Sequence, residues 1–256
     1  MSVFNAYAQY YDLLYQDKDY AQEAAFIHQL LKTHAPAAQH LLELGSGTGR
    51  HAEYLAERGY QVTGVERSEE MLARCGDRQA AQSQELAQRL KFLQGDLRQV
   101  RLGQTFDGVL SLFHVISYQT SNADLAAAFA TVAQHLKPGG MFIFDVWYGP
   151  AVLYDQPQVR VKRLQNENLA ITRIAEPVLH PNENIVDVNY HILLQPTGTD
   201  TCQELRELHR MRYLFKPELE LLLGQSGMSL VTYSEWMSDR PASLDTWGVY
   251  FVAVKS

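Results

Sequence analysis

The segment Leu41-Leu42-Glu43-Leu44-Gly45-Ser46-Gly47-Thr48-Gly49 sets a carboxylate just before a glycine-rich turn. Glycines at such a turn permit unusual backbone angles and let a ligand approach the main chain with no Cβ in the way. Glu43 falls at the end of a first strand, where it suits a ligand ammonium better than a pyrophosphate. Glu66 follows about twenty residues after the first glycine, at the end of a second strand, where an acid can accept from both hydroxyls of a ribose. Gly95-Asp96-Leu97 ends a third strand, and Asp96 there could accept the exocyclic amine of an adenine. Any one of these acids could equally cap a helix or solvate a loop. Three at the carboxyl ends of successive strands point to one ligand at the edge where open parallel sheets bind.

The acid beside the glycine turn separates two chemistries. A dinucleotide lays its pyrophosphate over a helix N-terminus, and a neighbouring carboxylate would repel it. A sulfonium nucleoside with an amino-acid tail brings an ammonium and no phosphate. The pattern therefore favours S-adenosyl-L-methionine over a nicotinamide cofactor. A dehydrogenase is the competing enzyme class, weakened by Glu43 and by GxGxG spacing in place of GxGxxG.

The elements that must position these residues alternate. Residues 19–34 read as a helix with apolar positions at Tyr20, Ala24, Ile27, Leu30 and Leu31, stopped by Pro36. Residues 40–44 are a strand, 50–58 a helix closed by Gly59, and 60–65 a second strand followed by a helix that Ser68 caps. Strands are expected at 91–94, 106–113 and 141–147, with a helix at 122–136 and a turn at Pro138-Gly139-Gly140. Strand alternating with helix predicts a parallel α/β sheet with crossover helices. Residues 155–215 break that rhythm with period-two alternation, as in Ile185-Val186-Asp187-Val188-Asn189-Tyr190, and with Pro and Gly turns. That pattern predicts an antiparallel insert. Pro217 then opens a helix at its first position, and strands follow at 228–236 and 246–255.

Composition sets the outer bounds. The chain has 256 residues, 46% of them hydrophobic, which excludes disorder as its main state and allows a substantial core. Lys and Arg total 22 against 29 Asp and Glu, a net charge of -7 that argues against nucleic acid or an anionic membrane as the main partner. No apolar run nears the roughly 18 residues of a membrane span, and the N-terminus lacks the pattern of a secretory signal. Cys75 and Cys202 have neither CxxC spacing nor the density of a disulfide framework, so a reduced, cytoplasmic protein is expected. The nine His are scattered without metal-ligand spacing, and no metal is expected.

Taken together, residues 41–66, Gly95-Asp96 and Leu136-Lys137-Pro138-Gly139-Gly140 resemble the class I S-adenosylmethionine-dependent methyltransferases. The resemblance implies a Rossmann-like seven-stranded sheet whose last strand runs antiparallel. It spans residues 1–150 and 216–256, with residues 155–215 as the antiparallel insert. It implies that Glu43, Gly45 and Gly47 hold the methionine end, Glu66 the ribose, and Asp96 with Leu97 the adenine. Ser46, Arg50, Arg67 and Leu112 complete the expected cofactor contacts. Met71 either packs on the adenine face or is a core residue of its helix. The run from Tyr7 to Tyr15 looks like the segment that folds over the cofactor in small-molecule methyltransferases, with Tyr10 against the cofactor and Tyr11 near the chemistry. His114 lies where the family places the residue facing the nucleophile, and Tyr118 joins it as polar wall.

The position of the insert, with His209-Arg210-Met211-Arg212-Tyr213, is similar to the N-methyltransferases of nucleotide-linked amino sugars, the desosamine type. There the insert helps form the sugar-nucleotide site and a homodimer. In a strand, Arg210 and Arg212 would share a face about 7 Å apart, a spacing that suits two phosphate groups. The competing reading is cross-strand pairing with acids such as Asp187 or Glu204. Trp147 and Tyr148 either wall the acceptor pocket or pack under the insert. The expected acceptor is a small molecule, an amino group on a nucleotide-linked sugar. An O-methyltransferase, a methyltransferase of another small amine, and a cofactor-binding protein without turnover are the alternatives.

Overall fold

The computed structural model describes residues 11, 13–199 and 201–256. Tyr10 and the rest of the expected cover at residues 1–10 lie outside the described residues. Helix α1 (Tyr20–His34) starts where the Asp19 carboxylate accepts from the Gln22 amide at 2.9 Å. It buries Tyr20, Ala24, Ile27 and Leu31, the one face that 3.6-residue spacing allows. Strand β1 (His40–Leu44), helix α2 (Arg50–Glu57) and β2 (Gln61–Glu66) follow, then α3 (Glu69–Ala80), whose Met71 amide donates to Ser68 Oγ. The short α4 (Gln84–Ala87) leads to β3 (Leu90–Gln94), β4 (Phe106–Ser111), α5 (Asn122–His135), β5 (Leu136–Trp147) and α6 (Gly149–Tyr154). Strands β6 (Arg160–Gln165), β7 (Leu169–His180), β8 (Ile185–Pro196) and β9 (Gln203–Arg212) precede α7 (Lys216–Gln225), β10 (Met228–Glu235) and β11 (Gly248–Lys255).

The main sheet has seven strands in the order β10-β11-β5-β4-β1-β2-β3. Strands β3, β2, β1, β4 and β5 are parallel, and β11 runs antiparallel to both of its neighbours. Alternate residues feed two cores. Leu42, Leu44, Phe142 and Phe144 pack with α5 and α7 on one face, and Leu41, Met141 and Ile143 pack with α1 and α2 on the other. From β1 the chain runs outward to β2 and β3, then returns to β4 on the opposite side of β1. That reversal opens a crevice at the carboxyl ends of β1 and β4, the usual ligand position in an open α/β sheet.

Residues 160–212 form a separate four-stranded antiparallel sheet, ordered β6-β7-β8-β9. Its strands are longer than the alternating segments suggested, with β7 and β8 in register from Leu169↔Pro196 to His180↔Ile185. Two apolar clusters hold it down. Ile171, Ile192 and Leu194 close on Leu14 and Met71, while Val186, Val188 and Tyr213 close on Val152 and Trp147. Lys162 donates to the Leu14 carbonyl at 2.7 Å, fastening the segment before α1 to the second sheet.

The structure corrects four local expectations. β4 ends at Ser111, because Phe113 and His114 take left-handed angles, φ 64° and 60°. β5 begins at Leu136, and Pro138-Gly139-Gly140 forms a bulge in it, where the register with β4 shifts and Gly139 has φ 75°. Pro217 is the second residue of α7, since the helix starts at Lys216. Helix α6 stands where no element was expected. Among the described residues no helix is long and apolar enough to cross a membrane.

Candidate active site

The crevice continues into a cavity of about 410 Å³ that runs from the strand ends to β8 and β9. The glycine turn forms its floor. The Gly45 and Ser46 amides donate to the Val65 carbonyl at 2.8 and 3.1 Å, locking the turn to β2. Gly45 has φ 80°, and a Cβ there would meet Val115 Cγ1 at 2.5 Å. At Gly47, φ 57°, a Cβ would meet nothing within 4 Å, so this backbone faces open space.

Glu66 lines the cavity and also builds the turn. Its Oε2 accepts from the Gly47 amide at 2.9 Å, and its Oε1 accepts from the Arg67 and Ser68 amides, both at 2.8 Å. Burial nonetheless raises its carboxyl above the ordinary range. Asp96 sits opposite, held by Arg98: the Arg98 amide and Nε each donate to its Oδ1 at 2.9 Å. The Arg98 hydrogen bonds lower the Asp96 carboxyl despite partial burial. Arg98 also reaches Asp124 at 2.7 Å, and Arg67 stands 3.9 Å from Asp96.

Glu43 is buried at the end of β1, beneath the residues that border the cavity. The carboxylate is 1% exposed and its Oε2 has no hydrogen-bond partner among the described residues. Burial, then repulsion from Glu66, pushes its carboxyl up to about 8, opposed by the Ala52 amide. His51 Nδ1 stands 3.7 Å from Glu43 Oε1, and His51 Nε2 lies 2.7 Å from Glu23 Oε2. Burial alone would raise Glu23, but His51 and Lys18 hold it down at about 2. His51, on α2, borders the cavity and was not expected there, and Glu23, on α1, holds it from behind. The signal available was a charged residue inside the buried stripe of α1.

Other expected residues meet in the same cavity. Gly45, Ser46, Gly47 and Arg50 border it from the turn and α2, and Arg67, Met71, Leu97 and Leu112 from the neighbouring strand ends and α3. Met71 belongs both to this wall and to the apolar cluster under the second sheet. Tyr11, His114, Tyr118 and Trp147 line the middle. His114 Nδ1 lies 2.7 Å from Asp145 Oδ2, off the direction of a good hydrogen bond, and the His114 amide donates to the same oxygen at 3.1 Å. Asp145, 1% exposed on β5, thus fixes both the backbone and the ring of a residue in left-handed conformation. Tyr118 Oη is 2.8 Å from His209 Nδ1.

The two arginines of β9 separate. Arg210 lines the cavity while its Nε contacts Asp187 Oδ1 at 2.9 Å, the cross-strand pairing that was the competing reading. Arg212 does not line it. Its guanidinium is buried against Glu218 of α7 and donates to the Thr120 carbonyl at 3.3 Å, so it joins elements instead of facing a ligand. Tyr148 also lies off the cavity, capping α6 and packing on the main core.

Comparison with known proteins agrees with this geometry. Residues 41–140 match the family described as methyltransferase domain. The chain is 33% identical to the putative methyltransferase YqeM of Bacillus subtilis (strain 168), over 99% of this chain and 98% of that one. The chain belongs to the methyltransferase family. It is also 29% identical to dTDP-3-amino-3,4,6-trideoxy-alpha-D-glucopyranose N,N-dimethyltransferase of Streptomyces venezuelae, over 87% of this chain and 90% of that one. The crystal structure of Streptomyces venezuelae DesVI superposes with a TM-score of 0.80 at 27% identity, covering 97% of this chain and 98% of that one. The cofactor of the family is S-adenosyl-L-methionine, and the strand-end residues fit it. Gly47 leaves room above its backbone, Ser46 Oγ and Glu43 Oε2 are buried polar atoms without hydrogen-bond partners among the described residues, and Glu66 and Asp96 keep acceptor lone pairs at the rim.

Proposed function

We propose that this chain methylates the amino group of a nucleotide-linked amino sugar, using S-adenosyl-L-methionine. One observation carries the reading: a single cavity joins the glycine turn to β8 and β9 of the second sheet, with His114 between them. The similarity to the Streptomyces venezuelae N,N-dimethyltransferase of a dTDP-amino sugar supports the same acceptor class. When bound, the cofactor supplies a methyl on a positively charged sulfur, open to in-line displacement by a lone pair.

The residues of the chain do four things. The Gly45–Gly47 backbone and Glu66 hold the donor, and Asp96, kept ionised by Arg98, receives the adenine amine. Tyr15, Phe113 and Trp147 wall the reacting volume and exclude water, so nucleophile and methyl meet in one orientation. His114 takes a proton from the acceptor amine at Nε2, the ring nitrogen turned away from Asp145, and Asp145 steadies the ring as it becomes charged. Arg210 pairs through Nε with Asp187 and stands 4.0 Å through Nη2 from Glu183, so a phosphate would compete with Glu183 for the open side of its fork.

The reaction belongs in the cytoplasm, in keeping with two free cysteines, buried Cys75 and exposed Cys202. A homodimer formed through the second sheet is part of the proposal, since β6 and β9 are its outer strands. The net charge of -7 leaves nucleic acid outside it. The test is methyl transfer to a panel of dTDP-amino sugars, free amines and hydroxyl acceptors, read by mass spectrometry. Methylation confined to the amino nitrogen of a nucleotide sugar is expected. Transfer to hydroxyl acceptors alone, or to free amines as well as to the nucleotide sugars, would overturn the acceptor assignment.

A further inference from the structure

At residues 207–209 strand β9 inverts the usual polarity. Glu207 and His209 point inward, 8% and 3% exposed, while Leu208 between them is 47% exposed. Burying a carboxylate and an imidazole on the inner face costs free energy unless they are paired. They are paired in line: Glu207 Oε2 lies 3.2 Å from His209 Nε2, and His209 Nδ1 lies 2.8 Å from Tyr118 Oη. Tyr118 and His209 both border the cavity, so the chain hydroxyl–imidazole–carboxylate begins at the cavity and ends at a carboxylate buried under the second sheet.

We propose that Tyr118, His209 and Glu207 form a second proton path from the acceptor nitrogen, separate from His114 and Asp145, with His209 as the group that keeps the proton. The proposal rests on an amine acceptor. The acceptor N–H bond breaks as Tyr118 Oη gains that proton, and the Tyr118 O–H bond breaks as His209 Nδ1 gains the next. The electron pair stays on the acceptor nitrogen and becomes the nucleophile. The imidazolium so formed is held by the Glu207 carboxylate. An amine that arrives as ammonium loses one proton before attack, and the methylated ammonium loses another afterwards. One imidazole holds one proton at a time. Among the described residues three imidazole–carboxylate pairs have their ring on this cavity, His51–Glu23 behind the glycine turn and His114–Asp145 and His209–Glu207 beyond it.

The surroundings suit the direction of the relay. Burial raises the Tyr118 hydroxyl well above its ordinary range, so it stays protonated and donates to Nδ1. Among the described residues, the charged and titratable groups facing it include His209, Tyr11, Tyr15, Tyr190, Glu207 and Arg173. The Tyr190 ring meets the His209 ring edge-on with centroids 4.9 Å apart, and the Arg173 guanidinium lies 4.7 Å over the Tyr190 ring.

Two measurements on the full chain test it. Nitrogen-15 NMR of His209 with S-adenosylhomocysteine bound should show Nε2 protonated and Nδ1 accepting, and Tyr118→Phe should remove the Nδ1 hydrogen-bond shift. A protonated Nδ1 in the neutral ring reverses the relay and overturns the proposal. In turnover, Tyr118→Phe and His209→Gln should each lower kcat about 100-fold and shift its acid limb, with cofactor affinity retained. A structural role would scale the profile without moving the limb, and that result also overturns the relay. Should the wild-type chain methylate no amine, the acceptor reading fails on its own, and the NMR result still decides the hydrogen-bond chain.

Discussion

The Glu43 carboxyl makes cofactor binding depend on pH, in a direction the structure sets. Without a ligand, burial and Glu66 hold this group at about 8, so it is largely neutral at pH 7. A cofactor ammonium and sulfonium placed above the glycine turn favour the carboxylate, and binding below pH 8 therefore releases a proton. Each pH unit below 8 weakens binding up to tenfold. At pH 6 the loss approaches about 100-fold, or about 2.7 kcal/mol, relative to pH 9. Titration calorimetry with S-adenosylhomocysteine, run in two buffers of different ionisation heat, reads both quantities. Close to one proton released at pH 6.5 and none at pH 9 is expected. Glu43→Gln, neutral at every pH, should bind at the weak limit and lose the slope. A flat affinity between pH 6 and 9, or a Gln variant that binds like the parent, would refute the reasoning.

The same shift predicts the stability of the unliganded chain. Its folded carboxyl titrates at about 8 and its unfolded one near 4.5, so the folded state binds more protons across that window. Stability therefore falls as pH rises from about 4.5 to about 8, and bound cofactor reverses part of the loss. Glu66, raised by burial, acts in the same direction.

Two further outcomes follow from the turn and from β9. Gly45→Ala adds a Cβ 2.5 Å from Val115 Cγ1 at φ 80°, so a loss of about 1–3 kcal/mol in denaturant unfolding and a weaker cofactor affinity are expected. Arg210→Ala should raise the acceptor KM at least tenfold and leave the Kd for S-adenosylhomocysteine unchanged. Arg212→Ala, which strands Glu218 and the Thr120 carbonyl, should instead lower the Tm, by the equivalent of about 1–3 kcal/mol. Equal effects of the two arginine variants on acceptor KM would show that β9 presents both to the ligand.

The strand, glycine turn and helix were legible because they obey local rules. A glycine turn alone serves many ligands and plain tight turns; Glu66 and Asp96 at the ends of successive strands narrowed it, and both border the cavity. Burial was not legible. Whether Glu43 faces a ligand or lies beneath the wall depends on how α2 packs behind the turn, and the Glu23–His51 pair bridges α1 and α2. His114 was placed by its position after β4, but its left-handed backbone and its Asp145 partner come from β5, 31 residues on.

The second sheet shows why period-two alternation can be read correctly for structure and still misplace function. Alternation predicts which residues share a face; it does not say which face is inside. Apolar residues usually mark the inner face, yet in β9 Leu208 is exposed and Glu207 and His209 are buried. Arg210 and Arg212 likewise share a face by count, but α7 covers the strand end, so Glu218 claims Arg212 and leaves Arg210 at the cavity. Glu207 and His209 are buried although Leu208 between them is exposed, because Tyr118 offers His209 a hydrogen-bond partner on the inner side; tertiary packing, not the pattern, decides the face at this point of β9.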